Sequence, residues 1–407
     1  MNCRFCKTPL ALTMIDLGSA PPSNRYLSVD DLSRPEPWYP LRVLVCEACW
    51  LVQTADFARR EELFASDYAY FSGFSETWLS HVDAYAANMI ERFDLTQESR
   101  VVEIAANDGS LLMAFSRRGI PTLGIEPTES TARAARDNGL TILEVFFGEE
   151  EGAAIARDHG RADLIAANNV LAHVPDINDF VAGFRRLLKP NGVATFEFPH
   201  LQNLLTETQF DTIYHEHFSY LSLGTVERIL NKNGLRVFDV ESIATHGGSL
   251  RVFAQPLDGE HPTTGTVLSV LESERAAGLF SGDAFRDFSR NAIRVKNAAL
   301  RFLIEQSRVG KTVIAYGAAA KGNTFLNFAG IRPDLVSCVV DRNPAKQNRF
   351  LPGSRIPIVS EKAISEQRPD FIVILPWNLA SEIENQLSYV RNWNGSFVTF
   401  IPDLRVF

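Results

Sequence analysis

Short apolar runs alternate with amphipathic stretches along most of the chain, starting near residue 100. Apolar runs of strand length that are separated by helical patterns are typical of parallel βαβ units. The first series contains five predicted strands, at 101–105, 122–126, 142–145, 163–167 and 193–198. Helices between them are predicted at 130–138 and 177–188, and Lys-Pro-Asn-Gly ends the second one. This part of the chain is therefore expected to form one α/β unit.

A second series of the same kind begins near residue 312. Its predicted strands lie at 312–316, 336–340, 371–375 and 396–401. A charge-rich helical stretch over 266–307 separates the two series and is interrupted at Gly278 and Gly282. Further predicted elements are strands at 236–241 and 250–254 and a helix at 78–93. The pattern predicts two separate α/β units in one chain.

Four of the five cysteines form two Cys-x-x-Cys pairs, Cys3/Cys6 and Cys46/Cys49, with 39 residues between the pairs. Two such pairs allow four thiolates to converge tetrahedrally on one Zn²⁺. Disulfides or free thiols are the alternative, and a cytosol-like context disfavours disulfides. We expect a structural zinc site without an open ligand position, in a Pro-rich N-terminal module. The fifth cysteine, Cys338, lies in an apolar run that predicts a buried strand.

Composition limits the classes of partner. The chain has 407 residues, of which 45 % are hydrophobic, and this supplies a core for each of about two to four domains. Its net charge of −9 disfavours nucleic-acid binding but is compatible with a local basic pocket for a phosphorylated ligand. No apolar run has the roughly 18 residues of a membrane helix, and the first residues lack a secretory pattern. We expect a cytoplasmic protein, while its oligomeric state, monomeric or not, stays open.

The turn after the first predicted strand has the features of a nucleoside site. Parallel sheets present backbone N–H groups to ligands at such turns, and the next strand ends in Glu126, whose carboxylate suits a ribose diol. The turn lacks Gly-x-Gly-x-x-Gly, and its acidic residues favour a cationic ligand without phosphate, which S-adenosylmethionine fits. An ordinary turn with an exposed glutamate is the alternative. The predicted cofactor-binding residues are Glu103, Ala105, Asn107, Asp108, Gly109, Glu126 and Asn168.

Two further segments carry candidate chemistry. His173 follows the fourth predicted strand of the first series, where a parallel sheet places its substrate, although a lone histidine is often structural. Tyr214-His-Glu-His217 lies in a segment that fits neither a clean amphipathic helix nor an alternating strand. Metal binding and structural packing are alternatives for this segment. General acid/base chemistry is favoured, because histidine titrates near neutrality and an adjacent glutamate can orient it.

Several motifs in the same order resemble the sugar C-methyltransferases. They are the two Cys-x-x-Cys pairs, Val-Glu-Ile-Ala-Ala-Asn-Asp-Gly-Ser-Leu-Leu, Asn-Asn-Val-Leu-Ala-His-Val, Ile-Tyr-His-Glu-His-Phe-Ser-Tyr, His-Gly-Gly-Ser-Leu-Arg and Tyr-Gly-Ala-Ala-Ala-Lys-Gly-Asn. The resemblance spans essentially the whole chain. It implies a three-domain, S-adenosylmethionine-dependent enzyme that methylates a nucleotide-linked 4-keto-6-deoxy sugar. One departure is Ala105, which occupies a position where such turns usually have glycine.

The resemblance also implies roles for individual residues. His217 is expected to remove a proton from a carbon beside the ketone, with Glu216 and Tyr214 orienting the base or the substrate. Tyr70, with Tyr68 as a weaker candidate, and His173 are expected at the substrate and the developing enolate. The required chemistry is a base at the carbon, donors at the oxygen and a methyl group held in line.

The second α/β unit is expected to hold the nucleotide. Small residues before Lys321 expose N–H groups at a predicted helix start, and the lysine adds positive charge. Capping and surface charge are the alternative roles for the residues chosen here. The predicted substrate-binding residues are Lys321, Asn323, Arg342, His246 and Arg251.

The predicted fold class is α/β, with a zinc-binding module at 1–65, a Rossmann-like S-adenosylmethionine domain at 66–265 and a C-terminal Rossmann-like domain at 266–407. The expected reaction is methylation at C3 of a sugar linked to a nucleoside diphosphate, thymidine diphosphate being the expected nucleotide. C5 methylation and O-methylation are close alternatives. An NAD-dependent oxidoreductase and a non-catalytic zinc-ribbon scaffold are more distant ones.

Overall fold

Three β-sheets organise the part of the chain that this computed structural model describes, namely residues 1–55, 57, 73, 76–244 and 247–407. The strands are β1 (Leu12–Ala20), β2 (Tyr39–Val45), β3 (Val52–Thr54), β4 (Val101–Ile104), β5 (Thr122–Ile125), β6 (Ile142–Leu143), β7 (Ala162–Asn168), β8 (Leu188–Pro199), β9 (Ser219–Tyr220), β10 (Leu235–Ile243), β11 (Ser249–Pro256), β12 (Val313–Tyr316), β13 (Val339–Val340), β14 (Ile358–Val359), β15 (Phe371–Ile374), β16 (Ser396–Thr399) and β17 (Arg405–Val406).

Helices cover the two larger sheets and connect their strands. The α-helices are α1 (Glu76–Arg92), α2 (Ser110–Ser116), α3 (Glu129–Asp137), α4 (Glu149–Asp158), α5 (Ile177–Leu187), α6 (Leu201–Thr206), α7 (Leu223–Lys232), α8 (Gly265–Ala276), α9 (Phe288–Arg308), α10 (Ala320–Ala329), α11 (Lys362–Gln367) and α12 (Ala380–Gln386). Short 3₁₀ helices include Leu171–His173, Phe210–Thr212 and Trp377–Leu379. Within the described residues, no helix is both long enough and apolar enough to cross a membrane.

The central sheet has the strand order β10-β11-β8-β7-β4-β5-β6. Strands β4 to β8 are parallel, and β11 is antiparallel to both of its neighbours, β8 and β10. The order reverses between β4 and β7, so the loops that follow these two strands diverge and leave a crevice at the carboxyl edge. This is the position at which open parallel sheets bind ligands.

The C-terminal sheet has the order β14-β13-β12-β15-β16-β17, with β17 as its one antiparallel strand. Its order reverses between β12 and β15, so it has a crevice of the same kind. The α/β fold class that the hydrophobic pattern predicts is confirmed, with two sheets whose cores are parallel and whose edges include antiparallel strands.

The N-terminal sheet is the element that the pattern did not predict. Strands β1, β2 and β3 are antiparallel, and β9 from the central part of the chain pairs with β3 as the fourth strand. Prolines interrupt the region of β1 to β3, and β9 has only two residues. The alternation of apolar and polar residues that predicts a strand is therefore not recognisable in either part of the chain. The helical stretch predicted over 266–307 is indeed broken, into α8 and α9.

Candidate active site

One cavity of about 490 Å³ lies where the three sheets meet. The loops after β4, β5 and β7 line it from the central sheet, and the turns after β12 and β15 line it from the C-terminal sheet. Asn24 reaches it from the N-terminal module. Both crevices therefore open into the same space.

The turn after β4 is a strained backbone segment. Ala105 and Asn107 have φ angles of +60° and +50°, in the left-handed region that L-residues rarely adopt. Gly109 has a φ of +78°, and a Cβ atom there would collide with the side chain of Leu140. Glu126 holds the turn, because its Oε2 accepts a hydrogen bond from Asn107 N at 2.9 Å. Such strain persists only where surrounding contacts enforce it, and it brings backbone close to a ligand.

Six of the seven predicted cofactor residues line the cavity, and the seventh, Gly109, is not among the lining residues. Two of the six carry buried polar atoms that lack a hydrogen-bond partner among the described residues. These atoms are Glu103 Oε2 and both terminal atoms of the Asn168 amide. Burial, together with the charges of Asp108 and Glu126, raises the pKa of Glu103 well above its usual range. A cationic, hydrogen-bonding ligand would relieve each of these costs.

The segment 214–217 divides its side chains between two environments. Tyr214 and His217 face the cavity, and their rings pack against each other with centroids 4.0 Å apart and planes inclined by 33°. His215 and Glu216 lie outside the described lining and face the N-terminal module instead, where His215 Nε2 lies 3.3 Å from Tyr39 O. Asn24 Nδ2 donates to Glu216 Oε1 at 3.2 Å. Burial raises the pKa of Glu216 to about 7.

Backbone contacts determine the tautomer of His217. Its Nδ1 lies 2.8 Å from Thr212 O, and since a carbonyl oxygen only accepts, Nδ1 carries the proton and Nε2 the lone pair. Thr54 Oγ1 donates to His217 O at 2.9 Å from strand β3. The hydrogen bond to Thr212 O thus orients the imidazole ring, and the one from Thr54 holds the backbone of His217. In the neutral form of the ring, Nε2 can accept a proton.

His173 packs against His217 but has a different character. Their ring centroids are 4.6 Å apart, and His173 Nδ1 donates to Glu216 O at 2.8 Å. Burial lowers the pKa of His173 to about 4, so the ring is neutral near pH 7 and its Nε2 is an acceptor. The position of His173 at the substrate and the developing enolate remains a prediction. As an acceptor, its Nε2 suits a hydrogen bond from a substrate hydroxyl group.

The C-terminal sheet contributes two lysines to the cavity. Lys321 Nζ, at the start of α10, donates to Asn378 Oδ1 at 2.8 Å, and burial lowers its pKa. Lys346 Nζ donates to Ala318 O at 2.9 Å and lies 3.8 Å from Asp341 Oδ2. Two ammonium groups at one end of a cavity favour an anionic ligand there.

Other predicted substrate residues lie outside the described lining of the cavity. Asn323 is buried, with Nδ2 3.5 Å from Ser23 O, and it connects α10 to the N-terminal module. Arg342 donates to Gln386 Oε1 at the surface, and Arg251 is buried in ion pairs with Glu197 and Glu241. His246, Tyr68 and Tyr70 lie outside the described residues. The roles assigned to all of these side chains remain predictions.

The four N-terminal thiols converge. Cys3 Sγ lies 3.6 Å from Cys49 Sγ, Cys6 Sγ lies 3.5 Å from Cys46 Sγ, and all four sulfur atoms lie within 4.8 Å of one another. Tetrahedral zinc at its usual bond length of about 2.3 Å holds thiolates roughly 3.8 Å apart, so the site fits this ion. None of the cysteines forms a disulfide in the described residues.

Comparisons with known proteins agree with this architecture. The C-methyltransferase NovU of Streptomyces niveus is 36 % identical over the full 407 residues, and the match covers 96 % of that protein. The chain belongs to the C-methyltransferase family. A family model described as a zinc binding domain matches residues 3–64, a methyltransferase domain model matches 78–240, and a C-methyltransferase C-terminal domain model matches 244–402. The domain boundaries predicted above stay predictions.

More distant similarities cover parts of this C-methyltransferase. A ubiquinone biosynthesis O-methyltransferase of Methylococcus capsulatus is 30 % identical over 102 residues, which are 24 % of this chain and 42 % of that one. The crystal structure of the PH0226 protein of Pyrococcus horikoshii aligns with a TM-score of 0.37 and 15 % identity. That alignment covers 49 % of this chain and all of that one.

The C-methyltransferase is an S-adenosylmethionine-dependent enzyme, and the residues at the β4 turn fit this cofactor. The Glu126 carboxylate retains lone pairs for a ribose diol, since each oxygen accepts one backbone N–H, from Asn107 and from Thr128. The unpartnered atoms of Glu103 and Asn168 are hydrogen-bonding groups that fit this cofactor, and their roles in binding it remain predictions. Zinc, held by the four cysteines, completes the cofactor set.

Sequence reasoning missed several residues that line the cavity. Asn24 lies in a proline-rich stretch without a motif, and Trp78 begins the apolar face of a helix. Lys346 lies five residues after Asp341, in the loop that follows the predicted strand at 336–340. No sequence signal identifies Asn24. Position after a predicted strand end could have identified Lys346.

Proposed function

We propose that this enzyme methylates the carbon beside the ketone of a nucleotide-linked 4-keto-6-deoxy sugar, at C3 of a thymidine-diphosphate sugar. The observation that carries the proposal is the position of His217 in the cavity. Its oriented imidazole lies in a space that the cofactor turn after β4 and Lys321 also line. A base, a methyl donor and a phosphate-binding charge in one space match the needs of such a reaction.

His217 is the proposed base. Its Nε2 lone pair accepts the proton from the sugar carbon, and the charge moves to the ketone oxygen as an enolate. Donation from Nδ1 to Thr212 O persists in the imidazolium and stabilises it. S-adenosylmethionine, when bound, would supply an electrophilic methyl group. The carbon that lost the proton would form the new bond to this methyl group as the methyl–sulfur bond breaks, which leaves S-adenosylhomocysteine.

Tyr214 and the two lysines have proposed roles at the other atoms of the substrate. The Tyr214 hydroxyl is the donor that we assign to the ketone oxygen, since its ring packs against that of His217 within the cavity. His173, whose Nε2 is an acceptor, is assigned to a sugar hydroxyl. The ammonium groups of Lys321 and Lys346 are assigned to the diphosphate.

The test is proton NMR of a thymidine-diphosphate 4-keto-6-deoxy sugar in D₂O with enzyme and S-adenosylhomocysteine. This product cofactor occupies the site without a methyl group, so only the proton transfer proceeds. We expect deuterium at C3, and we expect the exchange to be lost in His217→Asn. The matched control is His215→Asn, because His215 lies two residues away but outside the cavity lining, and this variant should exchange normally.

The same experiment separates the alternatives. Deuterium at C5 would move the reaction to the other side of the ketone. An absence of exchange, with S-adenosylhomocysteine demonstrably bound, would contradict carbon methylation of this sugar and favour O-methylation or a different sugar nucleotide. Undiminished exchange in His217→Asn would contradict the assigned base.

A further inference from the structure

A chain of contacts joins the lysine end of the cavity to the proposed base. Lys321 Nζ lies over the indole of Trp377, 5.1 Å from the ring centroid. The indole Nε1–H of Trp377 donates to Asp211 Oδ2 at 2.8 Å. Asp211 lies in the 3₁₀ helix Phe210–Thr212, and Thr212 O accepts the Nδ1–H of His217. The contacts therefore run from the C-terminal sheet to His217 without passing through the central sheet.

The Asp211–Trp377 hydrogen bond is partly buried, and both of its residues make further contacts. Asp211 is 1 % exposed, and burial raises its pKa to about 6, although Lys321 and the Trp377 hydrogen bond lower it. Gly247 packs against the indole so closely that a Cβ atom there would lie 2.8 Å from Trp377 Cη2. Trp377 and Asp211 both lie outside the described lining of the main cavity, so neither is placed to contact substrate.

A second hydrogen bond also connects the C-terminal unit to the segment that carries His217. Thr324 Oγ1 on helix α10 donates to Ile213 O at 2.9 Å, and Phe210 packs on Phe328 with ring centroids 5.3 Å apart. The segment that carries His217 is thus docked on the C-terminal unit. Among these contacts, the Trp377 hydrogen bond is the one whose donor residue also packs against a lysine that lines the cavity, Lys321.

We propose that Asp211 is a positioning residue, which acts through its hydrogen bond with Trp377 to hold His217 at a set distance from the lysine end of the cavity. The consequence is functional. The C-terminal unit would bind the diphosphate of the substrate through Lys321, and the same unit would hold the segment of the base, so the reacting carbon and His217 would keep a fixed separation. Displacement of a catalytic group by about 1 Å can lower a rate a hundredfold. This inference rests on the proposed function for its kinetic readout.

The test uses variants that change the hydrogen bond and little else. Trp377→Phe keeps the ring over which Lys321 lies and removes the N–H donor. The matched control is Trp393→Phe, because Trp393 donates its indole N–H to Pro369 O at 3.0 Å in the same unit, in a bond that involves no residue of the 210–217 segment. Asp211→Leu removes the acceptor at similar volume, whereas Asp211→Asn retains an acceptor oxygen.

At saturating substrate, the deuterium-exchange rate should fall about tenfold in Trp377→Phe and in Asp211→Leu. It should stay within about twofold of the wild-type rate in Trp393→Phe and Asp211→Asn, and the double variant Asp211→Leu/Trp377→Phe should be no slower than either single variant. A Trp377→Phe rate equal to that of Trp393→Phe, or a change in KM alone, would overturn the proposal. A loss in Asp211→Asn as large as that in Asp211→Leu would also overturn it.

A second readout needs no sugar and separates the two proposals. The ¹⁵N NMR signals of His217, assigned by their loss in His217→Asn, report which ring nitrogen carries the proton. Trp377→Phe should shift the ring from the Nδ1–H form towards a mixture of tautomers, and Trp393→Phe should not. If the wild-type enzyme exchanges no sugar proton but this shift occurs, the proposed substrate is wrong and the positioning role stands. Unchanged signals in Trp377→Phe would contradict the positioning role.

Discussion

Two neighbouring histidines, His173 and His217, have different proposed roles because their surroundings differ. His173 and His217 both donate through Nδ1 to a backbone carbonyl, Glu216 O and Thr212 O respectively. Burial lowers the pKa of His173 to about 4, so this ring stays neutral over the physiological range. A neutral ring beside the proposed base avoids repulsion between two cations when His217 accepts its proton.

Glu216 is expected to make stability fall with rising pH. Burial raises its pKa in the folded protein from 4.5 to about 7, so between these values the folded state retains a proton that the unfolded state has lost. The contribution of Glu216 to stability therefore declines through this window and levels off above pH 7. Glu216→Gln, which stays neutral, should gain about 2 to 3 kcal/mol over the wild type between pH 5 and 8.

Urea unfolding at several pH values measures this difference. The control is Glu98→Gln, whose exposed side chain should leave the pH dependence of the wild type unchanged. Parallel stability curves for the wild type and Glu216→Gln would show that the Glu216 carboxyl titrates normally and would contradict the prediction.

Ala105 is expected to tolerate glycine with a gain in stability. At its φ of +60°, the Cβ atom costs about 1 to 2 kcal/mol, which glycine avoids, whereas the greater freedom of glycine in the unfolded chain costs somewhat less. Ala105→Gly should thus raise the free energy of unfolding by about 0.5 to 1 kcal/mol. The control Ala134→Gly, within helix α3, should lower it by about 1 kcal/mol. Equal losses in both variants would contradict the argument from backbone strain.

Among the elements, the pair of helices α7 and α8 shows how a buried carboxylate can organise a helix end. Glu274 of α8 is fully buried, and its two oxygens accept the N–H groups of Leu223 and Gly224 at the N-terminus of α7. His200 Nε2 lies 2.8 Å from the same carboxylate. Four N–H groups at each helix start have no partner within the helix, and an anion there also benefits from the helix dipole.

Glu274→Gln is expected to lower the free energy of unfolding by about 2 kcal/mol, because one acceptor oxygen becomes a donor that faces a buried N–H. Urea unfolding measures the change. Glu272→Gln is the matched control, since Glu272 lies two residues earlier on the same helix with an exposed side chain, and it should alter stability by less than about 0.5 kcal/mol. A loss in Glu274→Gln no larger than in the control would contradict the capping role.

In the whole molecule, the N-terminal module with the cysteine cluster contacts the segment that carries the proposed base. Arg4 lies next to Cys3 and donates to Thr54 O and to Pro175 O, and Thr54 in turn holds the carbonyl of His217. Strand β9 follows His217 by one residue and completes the N-terminal sheet. Loss of the metal should therefore disturb the position of the base as well as the fold of the module.

Removal of zinc is expected to lower both the unfolding temperature and the rate of solvent exchange. Metal analysis should find one zinc per chain in the wild type and less in Cys49→Ser, while Cys338→Ser, outside the cluster, should retain its zinc. Restoring zinc after mild chelation should recover both properties together. A chelated enzyme without zinc that keeps its wild-type unfolding temperature and exchange rate would contradict the coupling.

The sequence by itself determined the fold class, the paired cysteines and the segments that carry chemistry, because periodicity and motif spacing are local properties. It could not determine which side chains of 214–217 face the cavity, since that depends on the pairing of the two-residue strand β9 with a strand more than 160 residues earlier. The positions of Asn24 and Lys346 at the cavity, and the contact between Asp211 and Trp377, likewise depend on how the three sheets pack together. Tertiary packing decided these, because contacts between distant segments leave no periodic signal in the chain.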